Sequence, residues 1–248
     1  MSTISVLYAA NRSIGLTCLR SLLAADITPS GLLVAEGEGA SFHEEMRALL
    51  PHVPTFSGKA FRSPEGLAQL RTLKPDYLIS VHFPYIIPKE ILALPGIGAL
   101  NLHPAYLPFN RGWNTPTWAI VDQTPFGATL HWIDEGIDTG DIALQERVNV
   151  LPTDTAHELY QRALAAEQRV FETAIPLLKN HSLPRILQQG EGTFHAKGDI
   201  EGIRHLDACT DPALAERIVR GLTTNDPNEA AERTINGKSA PVRFEPHA

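Results

Sequence analysis

Hydrophobic and polar positions alternate in blocks along the chain. The first apolar block, Ile4 to Tyr8, is followed by a short polar turn, Asn11-Arg12-Ser13, and then by Leu16, Leu19, Leu22 and Leu23 at helical spacing. An unbroken apolar run predicts a buried strand, and the recurring leucines predict a helix. "SGLLVAE", Ser30 to Glu36, predicts a second strand. In "PEGLAQLRTLKPDYLISV" the helix must end before Pro75, because the residue preceding a proline is pushed out of the helical region. Tyr77 to Val81 then reads as a strand, and "GALNLHP" as a further short one. Apolar strands alternating with helices predict a mostly parallel sheet with helices on its faces.

"GATLHWIDEGIDTGDIALQERVNV" alternates and turns at Asp-Glu-Gly and Asp-Thr-Gly, which predicts an antiparallel pair. The next stretch opens with a capping box, Thr155 and Glu158. Its apolar positions Ala156, Leu159, Ala163, Leu164, Val170, Phe171 and Ala174 share one helix face. Pro176 is expected to kink or end that helix. After about Asn180 the pattern loosens into short strands or loops around one helix, Pro212 to Leu222. The expected organisation is a domain over residues 1–180 and a small C-terminal appendage over 181–248, with no internal repeat.

Composition narrows the classes. With 248 residues, 43% hydrophobic and 20% charged, the chain suits an ordinary soluble globular protein. No apolar run reaches the ~18 residues of a membrane helix. The first residues carry no basic region ahead of an apolar stretch, so no secretory signal is expected. Cys18 and Cys209 stand far apart, which suggests neither a disulfide framework nor a zinc site. A cytoplasmic location is the expectation. The net charge is −7 and the 21 basic residues are scattered, which argues against a nucleic-acid partner.

Candidate chemistry concentrates in "LNLHPAYLPFNRGWNTPTWAI". Asn101 and His103 are two residues apart on an expected strand, so their side chains share a face, and Pro104 stops the strand there. An amide at a strand end can donate to an oxygen that becomes negative in acyl transfer. An imidazole beside it can take or give a proton near pH 7. A carboxylate, Asp138, could orient that imidazole or receive the proton. No Ser or Cys sits in a nucleophile elbow, so the attacking group would come from the substrate. Taken alone, these residues also fit a polar strand edge with a turn carboxylate. Asn11-Arg12-Ser13, between a strand and a helix, could offer N–H groups and a guanidinium to phosphate, although the tripeptide is also common in turns.

Across most of residues 1–150 the pattern "NLHPAYLP...RG...P..WAI......GATLHWIDEGIDTGDI" resembles the N10-formyltetrahydrofolate-dependent formyltransferases. The resemblance implies an α/β fold with a doubly wound, mainly parallel sheet. It implies catalytic roles for Asn101, His103 and Asp138, with N10-formyltetrahydrofolate as co-substrate and no metal. Phe83, Tyr85, Ile86 and Ile87 would form one wall of the pterin site, and Trp132, Ile133, Asp134 and Gly136 the loop that wraps the ring. Asn11, Arg12 and Ser13 would border the substrate phosphate, and Tyr106 and Trp113 would wall a sugar ring. Arg111 is expected to tie its loop down, and His131 to support the site without reacting.

The tail is similar to that of sugar N-formyltransferases acting on nucleotide-linked amino sugars, which implies a homodimer and a place in lipopolysaccharide or O-antigen assembly. It departs from them at Glu232-Arg233, where an aromatic pair is usual. A formyltransferase for another amine, such as methionyl-tRNA or glycinamide ribonucleotide, stays open, as does a silent folate- or nucleotide-binding module.

Overall fold

The computed structural model describes residues 4–207, 210–235 and 238–245. From the N-terminus the chain runs β1 (Val6–Ala10), α1 (Arg12–Ala24), β2 (Gly31–Val34), α2 (His43–Leu49), β3 (Thr55–Ser57), α3 (Pro64–Leu73), β4 (Tyr77–Val81), α4 (Lys89–Leu92) and β5 (Gly98–His103). It continues through β6 (Arg111–Gly112), α5 (Thr115–Val121), β7 (Phe126–Trp132), β8 (Ile142–Val148) and α6 (Ala156–Lys179). The last elements are β9 (Phe194–His195), α7 (Ile200–Arg204), β10 (His205–Leu206), α8 (Pro212–Gly221), β11 (Ala231–Ile235) and β12 (Lys238–Val242). Two compact units result: one holds the chain up to His103 with Thr129–Gln145 and Glu167–Leu187, the other holds the remainder.

The main sheet has the order β3-β2-β1-β4-β5-β7-β8. Neighbours from β3 to β5 pair in parallel, and β7 runs antiparallel to β5. Every residue of β1 and β4 is buried, which is why both read as unbroken apolar runs rather than alternating ones. The strand order reverses between β1 and β4. Open α/β sheets bind ligands at such a switch point, beyond the carboxyl ends of the strands. Here the two ends are tied together, since the Asn11 N–H donates to the Val81 carbonyl at 3.1 Å.

Several boundaries differ from expectation. β1 lies two residues further along than the block Ile4–Tyr8. Helix α1 starts at Arg12, so Arg12 and Ser13 belong to its first turn and only Asn11 precedes it. The two turn signals after β7 fall in a single connection between β7 and β8. Helix α6 continues past Pro176 to Lys179. A proline this close to the C-terminus removes one backbone donor but leaves little helix to disrupt. In the tail, α8 forms as expected, and of the expected short strands or loops, strands form a three-stranded sheet, β10-β11-β12. There Glu232 forms an ion pair with Arg204 at 2.9 Å and contacts His205 Nε2 at 3.2 Å, so polar contacts occupy the position where aromatics were expected. Leu206, Ile218, Leu222 and Ala231 share a core with Trp118 and Val121 of α5.

The capping box is formed reciprocally. The Thr155 N–H donates to Glu158 Oε2 at 2.9 Å, and the Glu158 N–H donates to Thr155 Oγ1 at 3.3 Å. The Thr155 N–H and the Thr155 hydroxyl, which also donates to Glu158 Oε2 at 2.9 Å, hold the Glu158 carboxyl below its ordinary value. Because the folded pKa is depressed, the contribution is present above the unfolded carboxylate pKa and is lost as pH falls through the folded value. Thr155→Ala is expected to cost about 1 kcal/mol. Chemical denaturation at neutral pH reads this loss, and the difference from wild type should narrow on acidification.

Candidate active site

The first unit assembles the polar cluster at the end of β5. Leu100 and Leu102 point into the core at 0% and 1% exposure, which leaves Asn101 and His103 together on the other face. Pairing with β7 sets Asn101 directly across from His131 and His103 across from Thr129. Asp138 reaches the same face from the connection between β7 and β8. Its Oδ2 lies 3.5 Å from His103 Nε2, and its Oδ1 lies 3.3 Å from His131 Nε2 and 3.4 Å from Asn101 Nδ2. The amide nitrogen is also 3.2 Å from His131 Nε2. A carboxylate therefore bridges two imidazoles, with an amide donor beside it.

The connection is built to deliver Asp138. Its backbone is left-handed, φ +55°, a conformation Asp and Asn tolerate better than most residues. The Asp134 carboxylate accepts from the Gly136 N–H at 3.0 Å and from Thr139 Oγ1 at 2.7 Å, closing the loop on itself. Gly140 has to be glycine, because a Cβ there would meet the Trp132 carbonyl oxygen at 1.9 Å.

The other predicted residues occupy several settings. Phe83 and Tyr85 form an aromatic group with Phe61, with ring centroids 5.3–6.3 Å apart. Ile87 is core, Phe83, Tyr85 and Ile133 pack on that core, and Ile86 is 80% exposed. Trp132 alternates away from His131. Its indole N–H donates to the Pro184 carbonyl at 2.8 Å, and the Arg185 guanidinium lies 3.6 Å from its ring centroid. Only the Trp132 carbonyl joins the cluster, 2.9 Å from His131 Nδ1. Asn11 is buried, with its amide donating to Gly39 O and accepting from the Ser41 N–H, whereas Arg12 and Ser13 are exposed. Arg12 takes a left-handed backbone, φ +63°.

Tyr106 and Trp113 belong to the second unit. Tyr106 is half-buried, and Trp113 is exposed with Lys197 Nζ 5.2 Å from its ring centroid. Arg111 donates to the carbonyls of Glu191 and Thr193 at 3.1 and 3.4 Å, holding the tail segment in place.

The structure adds detail to one expected residue, His131, and brings in one that the sequence did not suggest, Glu167. His131 is a full member of the cluster, and the alternation of Thr129 and His131 with Ala128, Leu130 and Trp132 carried that signal. Glu167 is completely buried on the apolar face of α6, with Oε1 2.8 Å from His82 Nε2 just beyond β4. A carboxylate inside an otherwise apolar stripe was the visible sign. Burial, together with Glu167 and Glu172, raises the Cys18 thiol well above its ordinary value. Cys18 is thus held as an unreactive thiol.

A family model described as Formyl transferase matches residues 31–175. The chain is 29% identical over 190 residues to a methionyl-tRNA formyltransferase of Clostridioides difficile (strain 630), covering 76% of this chain and 60% of that protein. It is 40% identical over 124 residues to the GDP-perosamine N-formyltransferase of Brucella melitensis biotype 1, covering 50% of this chain and 48% of that protein. The matches thus span less than two thirds of either relative's length. Among solved structures, a 4-N formyltransferase from Francisella tularensis superposes with a TM-score of 0.84 at 22% identity, over 99% of this chain and 98% of that one. The formyltransferase PseJ from Anoxybacillus kamchatkensis, solved with UDP-4,6-dideoxy-4-formamido-L-AltNAc and tetrahydrofolate, superposes with a TM-score of 0.56 at 26% identity, over 75% of this chain and 96% of that one.

Proposed function

Because the chain belongs to the formyl transferase family, whose model spans residues 31–175, we propose that it transfers a formyl group from N10-formyltetrahydrofolate to the amino group of a nucleotide-linked amino sugar. The observation that carries this reading is the convergence of Asn101, His103 and Asp138 at the carboxyl end of β5. The sugar is favoured by the relative named as a GDP-perosamine N-formyltransferase and by the UDP-linked formamido sugar bound in PseJ. The net charge of −7 disfavours a tRNA. Formylation of methionyl-tRNA is the second reading, favoured by the C. difficile relative. The protein is taken to act as a cytoplasmic homodimer.

On this reading the substrate amine attacks the formyl carbon held on N10 of the folate. A carbon–nitrogen bond forms as the formyl oxygen becomes negative, and the Asn101 N–H with the His103 imidazole stabilises that oxygen. Asp138 takes the proton the amine sheds, the formyl carbon–N10 bond breaks as the oxyanion collapses, and the proton held on Asp138 passes to N10, which balances the exchange. Phe83, Tyr85 and Ile86, set beyond β4 on a packed aromatic base, supply a flat apolar wall for the pterin. Arg12 and Ser13, at the start of a 13-residue helix next to the switch point, offer a guanidinium and a helix N-terminus to the diphosphate.

The test incubates purified protein with N10-formyltetrahydrofolate and dTDP-, UDP- and GDP-linked 3-amino and 4-amino sugars, with methionyl-tRNA as comparison. Tetrahydrofolate release and a formyl mass increment on one sugar are expected. Formylation of methionyl-tRNA alone would replace the sugar assignment, and turnover of no amine would remove the reaction.

A further inference from the structure

His131 stands against the proposed reaction centre with no step assigned to it. It is 2% exposed, and its polar contacts are few and fully defined. Nδ1 lies 2.9 Å from the Trp132 carbonyl oxygen, which can only accept, so Nδ1 carries the hydrogen. Nε2 lies 3.2 Å from the Asn101 amide nitrogen, which can only donate, so Nε2 presents its lone pair. Asp138 Oδ1, which can only accept, is 3.4 Å from the same amide nitrogen and favours this orientation of the amide. With the amide nitrogen turned towards the Asp138 carboxylate, these contacts fit the neutral Nδ1–H tautomer, and Nε2 then faces Asp138 Oδ1 at 3.3 Å with no hydrogen between them.

Asn101 Nδ2, His131 Nε2 and Asp138 Oδ1 form a nearly equilateral triangle with sides of 3.2, 3.3 and 3.4 Å. Both acceptors therefore lie on one side of the amide nitrogen, and a single N–H aimed between them serves both. We propose that His131 is a positioning residue for formyl transfer: its lone pair anchors one Asn101 N–H so that the other stays directed at the formyl oxygen. The neutral ring also puts no hydrogen between itself and Asp138, which keeps that carboxylate able to accept the amine's proton. Protonation of His131 would undo both arrangements, pairing it with Asp138 and setting an N–H against the Asn101 donor. This role rests on the formyl-transfer reading above. The tautomer does not.

Two measurements separate those layers. The side-chain nitrogen chemical shifts of His131, assigned by their loss in His131→Gln, should report a neutral ring protonated on Nδ1 at neutral pH. An imidazolium, or a hydrogen on Nε2, overturns the proposal whatever the enzyme does. Kinetics then compare His131→Gln, whose amide oxygen can take the place of Nε2, with His131→Asn, whose shorter amide keeps the Trp132 contact and does not reach Asn101. We expect His131→Asn to lower kcat about 10-fold or more at unchanged folate affinity, and His131→Gln to recover most of that loss. Equal rates in the two variants, or a loss confined to KM, would overturn the positioning role. A wild-type protein that formylates no amine would instead overturn the reaction on which the role depends.

Discussion

Asp138→Asn is expected to lower kcat by roughly 10²-fold or more while the protein still folds and binds folate. Asn keeps the size of Asp and suits the left-handed backbone at φ +55° as well or better, so the loop that delivers residue 138 is preserved. Only the charge changes. The amide can still meet His103 Nε2, now 3.5 Å from Oδ2, but it cannot take a proton from an attacking amine. The wild-type rate should fall on the acid side of the pH profile as the carboxylate is protonated, and that limb should disappear in the variant. If residue 138 only shapes the turn, the Asn variant would turn over at a near-normal rate. Steady-state kinetics on the variant, with folate affinity and thermal unfolding as controls, decides between these outcomes.

Removing the amide should have a comparable effect for a different reason. Asn101→Ala deletes the donor proposed to meet the developing negative charge on the formyl oxygen. Loss of one such preorganised donor typically lowers kcat by ~10²- to 10³-fold. The interaction exists mainly in the transition state, so the loss should fall on kcat with little change in KM. His103→Asn should also lower kcat by about 10²-fold or more, because the imidazole both faces that oxygen and contacts Asp138. The two substitutions act on one unit, so the double variant should be only slightly slower than either single one. Wild-type-like turnover in a folded His103→Asn protein would take that residue out of the mechanism.

How far the site could be read from the chain differs residue by residue. Asn101 and His103 were legible because a strand has a period of two, and Leu100 and Leu102, which alternate with them, say which face is buried. Asp138 had no such local signature: its chemistry made it a candidate partner for His103, and the wider resemblance gave that pairing its weight. The start of α1 was misread because Asn-Arg-Ser looks like a turn. The structure satisfies Asn11 through Gly39 and Ser41, residues distant in sequence, and lets the helix begin at once. Trp132 belongs to the loop expected to wrap the ring largely with backbone groups, and alternation along β7 sends its side chain towards Arg185 and puts His131 on the face of Asn101. Glu167 was passed over because a helix-face argument counts apolar positions and does not ask what a lone carboxylate among them would meet.

By itself the sequence determined the main run of strands and helices, which face of β5 is polar, and where that strand stops. Those properties follow from local periodicity and from the missing N–H of proline, and they hold wherever the segment lies. Tertiary structure alone decided that β7 lies antiparallel beside β5 in the register that pairs Asn101 with His131, and that Asp138 then falls between two imidazoles. A shift of that register by one residue would turn the polar face of β7 into its apolar one. The register that forms is the one in which both faces of both strands are satisfied together, a condition no single segment contains.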